Sequence, residues 1–277
     1  MSEWLIDGES IESVPVTDRG FQYGDGLFET IALREGRARF LDSHLQRLEE
    51  GLRRLAIPDD GASVAAAEVE RLAAGIKFGV AKIIMTRGSG QRGYRPPREV
   101  TPARMVGVLP AQPAPSDHYE HGIAMRYCET PVTSNRATAG IKTLERLAQT
   151  LARAEWDDPS IAEGVMLDES GHIVCGTMTN IFFETNRALH TPSLEQSGIA
   201  GIMRAKVLEE ASAAGLDVRV GQYRPEYLNA ADEVFVTNSQ VGIWPVRRLA
   251  EVDFPVGSQT RRLMERMAAL GVAECAA

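Results

Sequence analysis

The sequence predicts a two-domain α+β fold, and three observations carry that expectation. Hydrophobic patterns of both periods, two and 3.6, run through the chain without regular strand–helix–strand alternation and without an internal repeat. The 277 residues exceed what one small core usually organises. The stretch "PAQPAPSD", 110–117, carries three prolines in eight residues. Proline fixes φ and removes a backbone donor, so such a run suits a connector between domains. The expected division is a smaller N-terminal domain over 1–112, a linker over 113–118 and a larger C-terminal domain over 119–277.

Each element has a local reason. "LFETIALREGRARFLD" reads as two short strands about a turn at Arg34-Glu35-Gly36. Leu41, Leu45, Leu48, Leu52 and Leu55 then step by four and three, the buried face of a helix, with Asp42 and Ser43 as N-cap candidates and Pro58 beyond its end. A second helix is expected over Val64 to Ala74, followed by strands in "GVAKIIMTRG" and "ARMVGVLPAQ". Past the linker, "GIAMRYCET" predicts a strand, and a helix is expected directly after Lys142 with Leu144, Leu147, Leu151 and Ala154 on its apolar face. "GVMLDESGHIVCGTMTNIFFETNRALHTP" predicts strands broken by turns at Glu169-Ser170-Gly171 and Thr185-Asn186-Arg187. "GIAGIMRAKVLEEASAAG" is a glycine-punctuated turn entering a helix, "ADEVFVTNS" a strand, and a last amphipathic helix begins near Ser258.

Composition narrows the function classes. Apolar residues make up 44% and charged residues 25%, ordinary for a globular protein. A net charge of −8 argues against nucleic acid or an anionic membrane as the main partner. No apolar run approaches the ~18 residues of a membrane span, and "MSEWLIDGES" has no basic region followed by an apolar stretch. Cys128, Cys175 and Cys275 are odd in number and widely spaced, with no metal-ligand spacing, so neither a disulfide framework nor a metal site is expected. The reading is a reducing, cytoplasmic compartment.

Four segments bear on chemistry. Gly88-Ser89-Gly90-Gln91-Arg92-Gly93 matches the dinucleotide pattern G-x-G-x-x-G, but that reading needs a helix to start there. Tyr94-Arg95-Pro96-Pro97 disfavours one, so a loop presenting Arg87, Arg92 and Tyr94 to an anionic substrate is expected instead. "GIAGIMR", 198–204, places glycines ahead of a helix, where backbone N–H groups and the dipole can meet a phosphate. "VTNSQ", 236–240, ends a strand in small hydroxyl and amide side chains, although an ordinary turn explains either segment equally. Lys142 opens "KTLERL" in a chain whose thirty basic residues include only four lysines, Lys77, Lys82, Lys142 and Lys206. A lysine in this setting is either a solvated surface charge or an imine former for a carbonyl group.

The blocks "DRGFQYGDGLFET", "HLQRL", "TRGSGQRGY", "AGIKTLERL", "GTMTNIFF", "GIAGIMR" and "VTNSQVGIWPV" occur in the order found in the fold-type IV pyridoxal-phosphate enzymes, and the chain resembles that family from end to end. The family includes branched-chain and D-amino acid aminotransferases and aminodeoxychorismate lyases. "RGSGQRGY" and "AGIKTLERLAQTLARAE" look most like the lyases. The resemblance implies pyridoxal 5'-phosphate as cofactor, Lys142 as the lysine that bonds it, and Arg47, Ile202, Met203, Asn238 and Ser239 about its phosphate. It places Tyr23, Glu29, Arg87, Arg92, Tyr94 and Trp244 in segments on the substrate side, and it implies a homodimer to which residues 21–30 and 87–95 contribute. Cys175 stands where most relatives have a glutamate for the pyridine nitrogen of the cofactor. A carboxylate there keeps that nitrogen protonated and strengthens the ring as an electron sink, which an uncharged thiol does not do. The departure weakens an aminotransferase reading more than a lyase one. The implied activity is conversion of 4-amino-4-deoxychorismate to 4-aminobenzoate and pyruvate. A D-amino acid or branched-chain aminotransferase is the alternative within the fold, and a cofactor-free binding protein the alternative of another class.

Overall fold

In the computed structural model, which describes residues 3–11, 13–58 and 61–276, the chain divides into two units. The first runs through Pro113 and takes in Ile141–Arg146; the second holds Ala114–Gly140 and everything from Leu147 onward.

The first unit contains β1 (Glu3–Ile6), α1 (Arg19–Tyr23), β2 (Gly26–Arg34), β3 (Arg37–Ala38), α2 (Leu41–Leu55), α3 (Ala62–Ala73), β4 (Phe78–Thr86) and β5 (Ala103–Pro110). Its sheet is antiparallel, in the order β1-β5-β4-β2-β3. Strand side chains alternate between faces, so Leu27, Ile31 and Leu33 of β2 point together into a core that receives Leu48 and Leu52 of α2. The β2–β3 turn places Glu35 and Gly36 at φ 49° and 74°. Two successive left-handed residues give the turn whose twist matches a hairpin.

Helix α2 departs from expectation at its start. Phe40, in the left-handed region, is the N-cap and no side chain caps the helix. Asp42 and Ser43 lie inside the first turn instead. Leu41 already packs against the core, so the leucine register sets the first turn, and Asp42 serves there as an anion at the positive end of the dipole.

The second unit contains α4 (Asp117–Glu120), β6 (Ile123–Tyr127), α5 (Leu147–Arg153), β7 (Ile161–Leu167), β8 (Ile173–Gly176), β9 (Asn180–Thr185), β10 (Ala188–Pro192), α6 (Ile202–Ala213), β11 (Asp217–Gly221), α7 (Pro225–Asn229), β12 (Glu233–Asn238), β13 (Gly242–Leu249), β14 (Val252–Asp253) and α8 (Ser258–Ala269). Its sheet runs β11-β10-β9-β12-β13-β6-β7-β8, with β14 on β13. The pairs β6–β7, β6–β13 and β10–β11 are parallel and the others antiparallel, a mixed sheet. Phe182 of β9 and Phe235 of β12 stack across strands with centroids 5.0 Å apart and are among the largest fully buried side chains.

The region after Lys142 differs most from expectation. The helix begins at Leu147, four residues late, and its buried residue is Ala152, while Leu147 and Leu151 are 65% and 53% exposed. Residues 142–144 are extended and bond to β2, Phe28 N donating to Lys142 O and Leu144 N to Gly26 O, each at 3.0 Å. An edge strand's open backbone groups outcompeted a periodic side-chain pattern. The division of the chain changes with it: 119–277 is not one continuous block, because Ile141–Arg146 packs with the first unit.

We expect Leu52→Ala to lower stability to urea by about 2–5 kcal/mol, the cost of a cavity in a closed core. Leu151→Ala, at an exposed position, should change it by less than about 0.5 kcal/mol. Comparable losses for the two variants would contradict the outward-facing α5.

Candidate active site

The N-terminal half of β2 is flanked by β4 on one edge and by residues 142–144 on the other. That pairing sets the Lys142 amine 4.3 Å from the centroid of the Phe28 ring. Burial, and the nearby charges of Arg47, Arg146 and Lys82, pull its pKa down to about 8, with Glu29 opposing. A lysine near 8 holds an appreciable uncharged fraction at neutral pH, the form that attacks carbonyls and accepts protons.

Glu29 alternates with Phe28 and so lies on the core face of β2. Its carboxylate is almost wholly buried and accepts from Arg47 Nε at 2.8 Å, from Arg47 Nη2 at 2.5 Å and from His44 Nδ1 at 2.6 Å. Burial alone would raise the Glu29 pKa; the His44 hydrogen bond and the Arg47 charge bring it below the usual carboxylate range. Burial depresses His44, leaving it neutral near pH 7. The Glu29 oxygens are therefore engaged internally, and it acts on Arg47.

Arg87 is likewise engaged within the protein. It is 5% exposed. Its Nε and Nη2 donate to Asp25, and its two Nη atoms donate to the carbonyls of Leu55 and Ala56. Arg19 shares the Asp25 carboxylate and also donates to the carbonyls of Gly93 and Tyr94, tying down the base of the glycine loop. No helix starts in that loop, in keeping with the exclusion of a dinucleotide site. Arg92 is exposed, and Tyr94, 86% exposed, meets Tyr23 edge-on at 5.5 Å.

In the second unit, Ile202 and Met203 open α6, whose N-cap Gly201 offers no side chain. Asn180 fastens this terminus: its Oδ1 accepts from Gly201 N at 3.2 Å and its Nδ2 donates to Ile199 O at 2.9 Å. A Cβ on Gly201 would collide with Asn180 Oδ1, so glycine is required by the close approach. Asn238 closes the β12–β13 turn, accepting from Gln240 N and Val241 N and donating to Met178 O, with Ser239 half-buried beside it. Trp244, expected in a segment on the substrate side, is 6% exposed and packed edge-on against His118 and Tyr119. Cys175 lies in an apolar cluster with Cys128, Trp156, Met166 and Val174.

One acid in this unit is absent from the sequence expectations. Glu163 of β7 is fully buried, and its carboxylate accepts from the backbone N–H groups of Gly164, Thr177 and Met178 and from the hydroxyls of Thr177 and Thr179. It holds the loop between β8 and β9 in place. Its signal in the sequence was an acid inside the apolar strand "IAEGVML". Among the described residues no cluster of potential metal ligands occurs and no helix is long and apolar enough to cross a membrane.

The chain matches the model of the family "Amino-transferase class IV" over residues 26–249. It belongs to that family. It is 36% identical to the aminodeoxychorismate lyase of Vibrio harveyi over 93% of this chain and 97% of the relative. The crystal structure of 4-amino-4-deoxychorismate lyase from Pseudomonas aeruginosa superposes with a TM-score of 0.92 at 44% identity, covering 96% of this chain and 98% of the other. The branched-chain amino acid aminotransferase of Escherichia coli shares the fold, with a TM-score of 0.86 at 22% identity over 98% and 95% of the two chains. In this class IV family member the structure gathers Lys142, Arg47 and Glu29 in one unit and the α6 terminus, Asn238, Ser239 and Cys175 in the other.

The Lys142 amine of the unliganded protein should be reactive toward an acylating reagent with a pH midpoint near 8, against 10.5 for an ordinary lysine. Below the midpoint the amine is protonated and inert. Glu29→Gln removes the charge that raises this pKa and should move the midpoint lower. A midpoint near 10, read by mass spectrometry of the Lys142 peptide, would contradict this environment.

Proposed function

We propose that the protein is an aminodeoxychorismate lyase, converting 4-amino-4-deoxychorismate to 4-aminobenzoate and pyruvate. The carrying observation is the desolvated Lys142 amine with its pKa near 8. Support comes from the likeness to lyases of that name across nearly the whole of each chain.

Pyridoxal 5'-phosphate fits the donor set. An aldehyde needs an uncharged amine, which Lys142 provides, and a phosphate monoester needs cations and free amides. Arg47, the amides of Ile202 and Met203 at a helix terminus without a side-chain cap, and the hydroxyl of Ser239 are the residues assigned to the phosphate, with Asn238 shaping the turn that carries Ser239. When bound, the cofactor supplies an electron sink for the substrate carbon that loses its proton.

Lys142 Nζ accepts the proton from the amine-bearing ring carbon, acting as general base. The electron pair left behind forms a ring double bond as the neighbouring carbon–oxygen bond breaks. The enolpyruvyl oxygen leaves with that bond's electrons, the ring becomes aromatic, and the departing enolate takes up a proton at its terminal carbon to become pyruvate. Arg92, exposed on its loop, is the arginine assigned to the substrate carboxylates, since the donors of Arg87 are engaged. Tyr23 and Tyr94 flank the same loop. The proposal includes a homodimer, which rests on the likeness of sequence blocks, and a reducing cytoplasm, in keeping with three buried free thiols.

Cys175 bears on the choice between lyase and aminotransferase. Glu163 is a buried acid on β7, the strand paired with β8, and its oxygens are engaged by the β8–β9 loop. An uncharged thiol at 175 would support a bound pyridine ring less as an electron sink than a carboxylate would, and elimination, which sends the electrons to the departing oxygen, would ask less of that ring. A deficit of ~1.4 kcal/mol in stabilising charge on that ring slows a step tenfold.

Two outcomes test the reading. Borohydride should fix the cofactor onto the peptide containing Lys142; label on Lys77, Lys82 or Lys206 would remove the assignment. The protein should release 4-aminobenzoate faster than it transaminates D-amino or branched-chain donors, and Cys175→Glu should raise transamination more than lyase turnover. Faster transamination by the parent protein would replace the lyase reading with an aminotransferase one.

A further inference from the structure

His44 and Arg47 lie one helical turn apart on α2, on one face, and both meet the carboxylate of Glu29 on β2. The Arg47 contact is two-pronged: Nε bonds one carboxylate oxygen and Nη2 the other, which fixes the plane of the guanidinium as well as its position. His44 and Glu29 are each 1% exposed in their side chains, against 12% for Arg47.

The protonation states follow from the environment. Glu29 is held ionised and can only accept, and a neutral His44 therefore donates from Nδ1, leaving Nε2 as the bare acceptor. His44 Nε2 is buried without a hydrogen-bond partner. A buried polar atom left unpaired is retained against an energetic penalty, so the imidazole is in place for what its other nitrogen does to Glu29. The trio is neutral overall, one cation, one anion and one neutral ring, which lets it sit in the core beside Leu27, Ile31 and Leu48.

We propose that Glu29 and His44 are positioning residues for Arg47, holding its guanidinium plane in the orientation that receives a phosphate monoester. This rests on the reading that Arg47 meets the cofactor phosphate. Arginine loses more rotamer freedom on ordering than most side chains. An arginine already locked by a carboxylate has lost that freedom before its ligand arrives, so binding is tighter by preorganisation. The same carboxylate also lowers the net charge that the phosphate sees. Preorganisation and charge cancellation thus predict opposite effects of removing it, and the proposal commits to the first.

The test titrates cofactor-stripped full-length protein with pyridoxal phosphate and, separately, with pyridoxal, which lacks the phosphate. The ratio of the two dissociation constants, read from the visible absorbance band, cancels changes in Lys142 basicity and in general folding. Arg47→Ala should reduce the preference for the phosphorylated form by about a hundredfold, Glu29→Gln by about tenfold, and Glu29→Gln with Arg47→Ala by no more than Arg47→Ala alone, the non-additivity of residues acting as one unit. His44→Gln removes one contact and leaves the Glu29–Arg47 pair in place; it should reduce the preference about threefold, and it stands as the test if Glu29→Gln does not fold. A ratio unchanged or increased in Glu29→Gln, or additive losses in the double variant, overturns the positioning role. A ratio unchanged in Arg47→Ala overturns the phosphate reading of Arg47 itself and the proposal with it.

Discussion

The pairing of residues 142–144 with the open edge of β2 is the contact on which the first unit's part of the site depends. Strand β3 covers only Leu33 and Arg34, so the first half of β2 would otherwise leave an edge of backbone groups without partners. Such groups must be paired when buried, and a segment more than a hundred residues later supplies the partners through Phe28 N and Gly26 O. The consequence is chemical as well as structural. Fixing the backbone of Lys142 beside Phe28 takes the amine out of water and into the field of Arg47, Arg146 and Lys82, and those two effects lower its pKa.

Three acids in the two units are each met by several donors, since an ion without partners in the interior is costly. Glu29 takes an arginine and a histidine, Asp25 takes Arg19 and Arg87, and Glu163 takes three backbone amides and two threonine hydroxyls. These acids organise loops and cations. Asp25 anchors the segment leading into the glycine loop, Glu163 the loop after β8, and Glu29 the orientation of Arg47. Glu29 and Glu163 are thus used to hold other groups.

The cysteine at 175 gains meaning from this accounting. Its strand neighbour Met166 and the residues Val174 and Trp156 surround it with apolar contacts, and Glu163 is spent on the loop.

What the sequence determined by itself is what short-range physics encodes. The leucine register of α2, the hairpin about Glu35 and Gly36, and the turns near Gly171 and Asn186 were all legible, because periodicity and turn chemistry are local. So was the departure at Cys175, and the ordered blocks that place Lys142 in its family. Tertiary structure decided the rest. The apolar spacing through Leu144, Leu147 and Leu151 predicted a helix from Lys142, yet long-range pairing drew residues 142–144 into an extended edge and turned Leu147 and Leu151 outward. Whether Glu29, Arg87 and Trp244 face a ligand or the interior depends on which element packs against each, and Glu163 was invisible as an anchor until the β8–β9 loop was seen to close over it. A side chain's type is written in the sequence; its partner is set by the non-local packing that brings distant segments together.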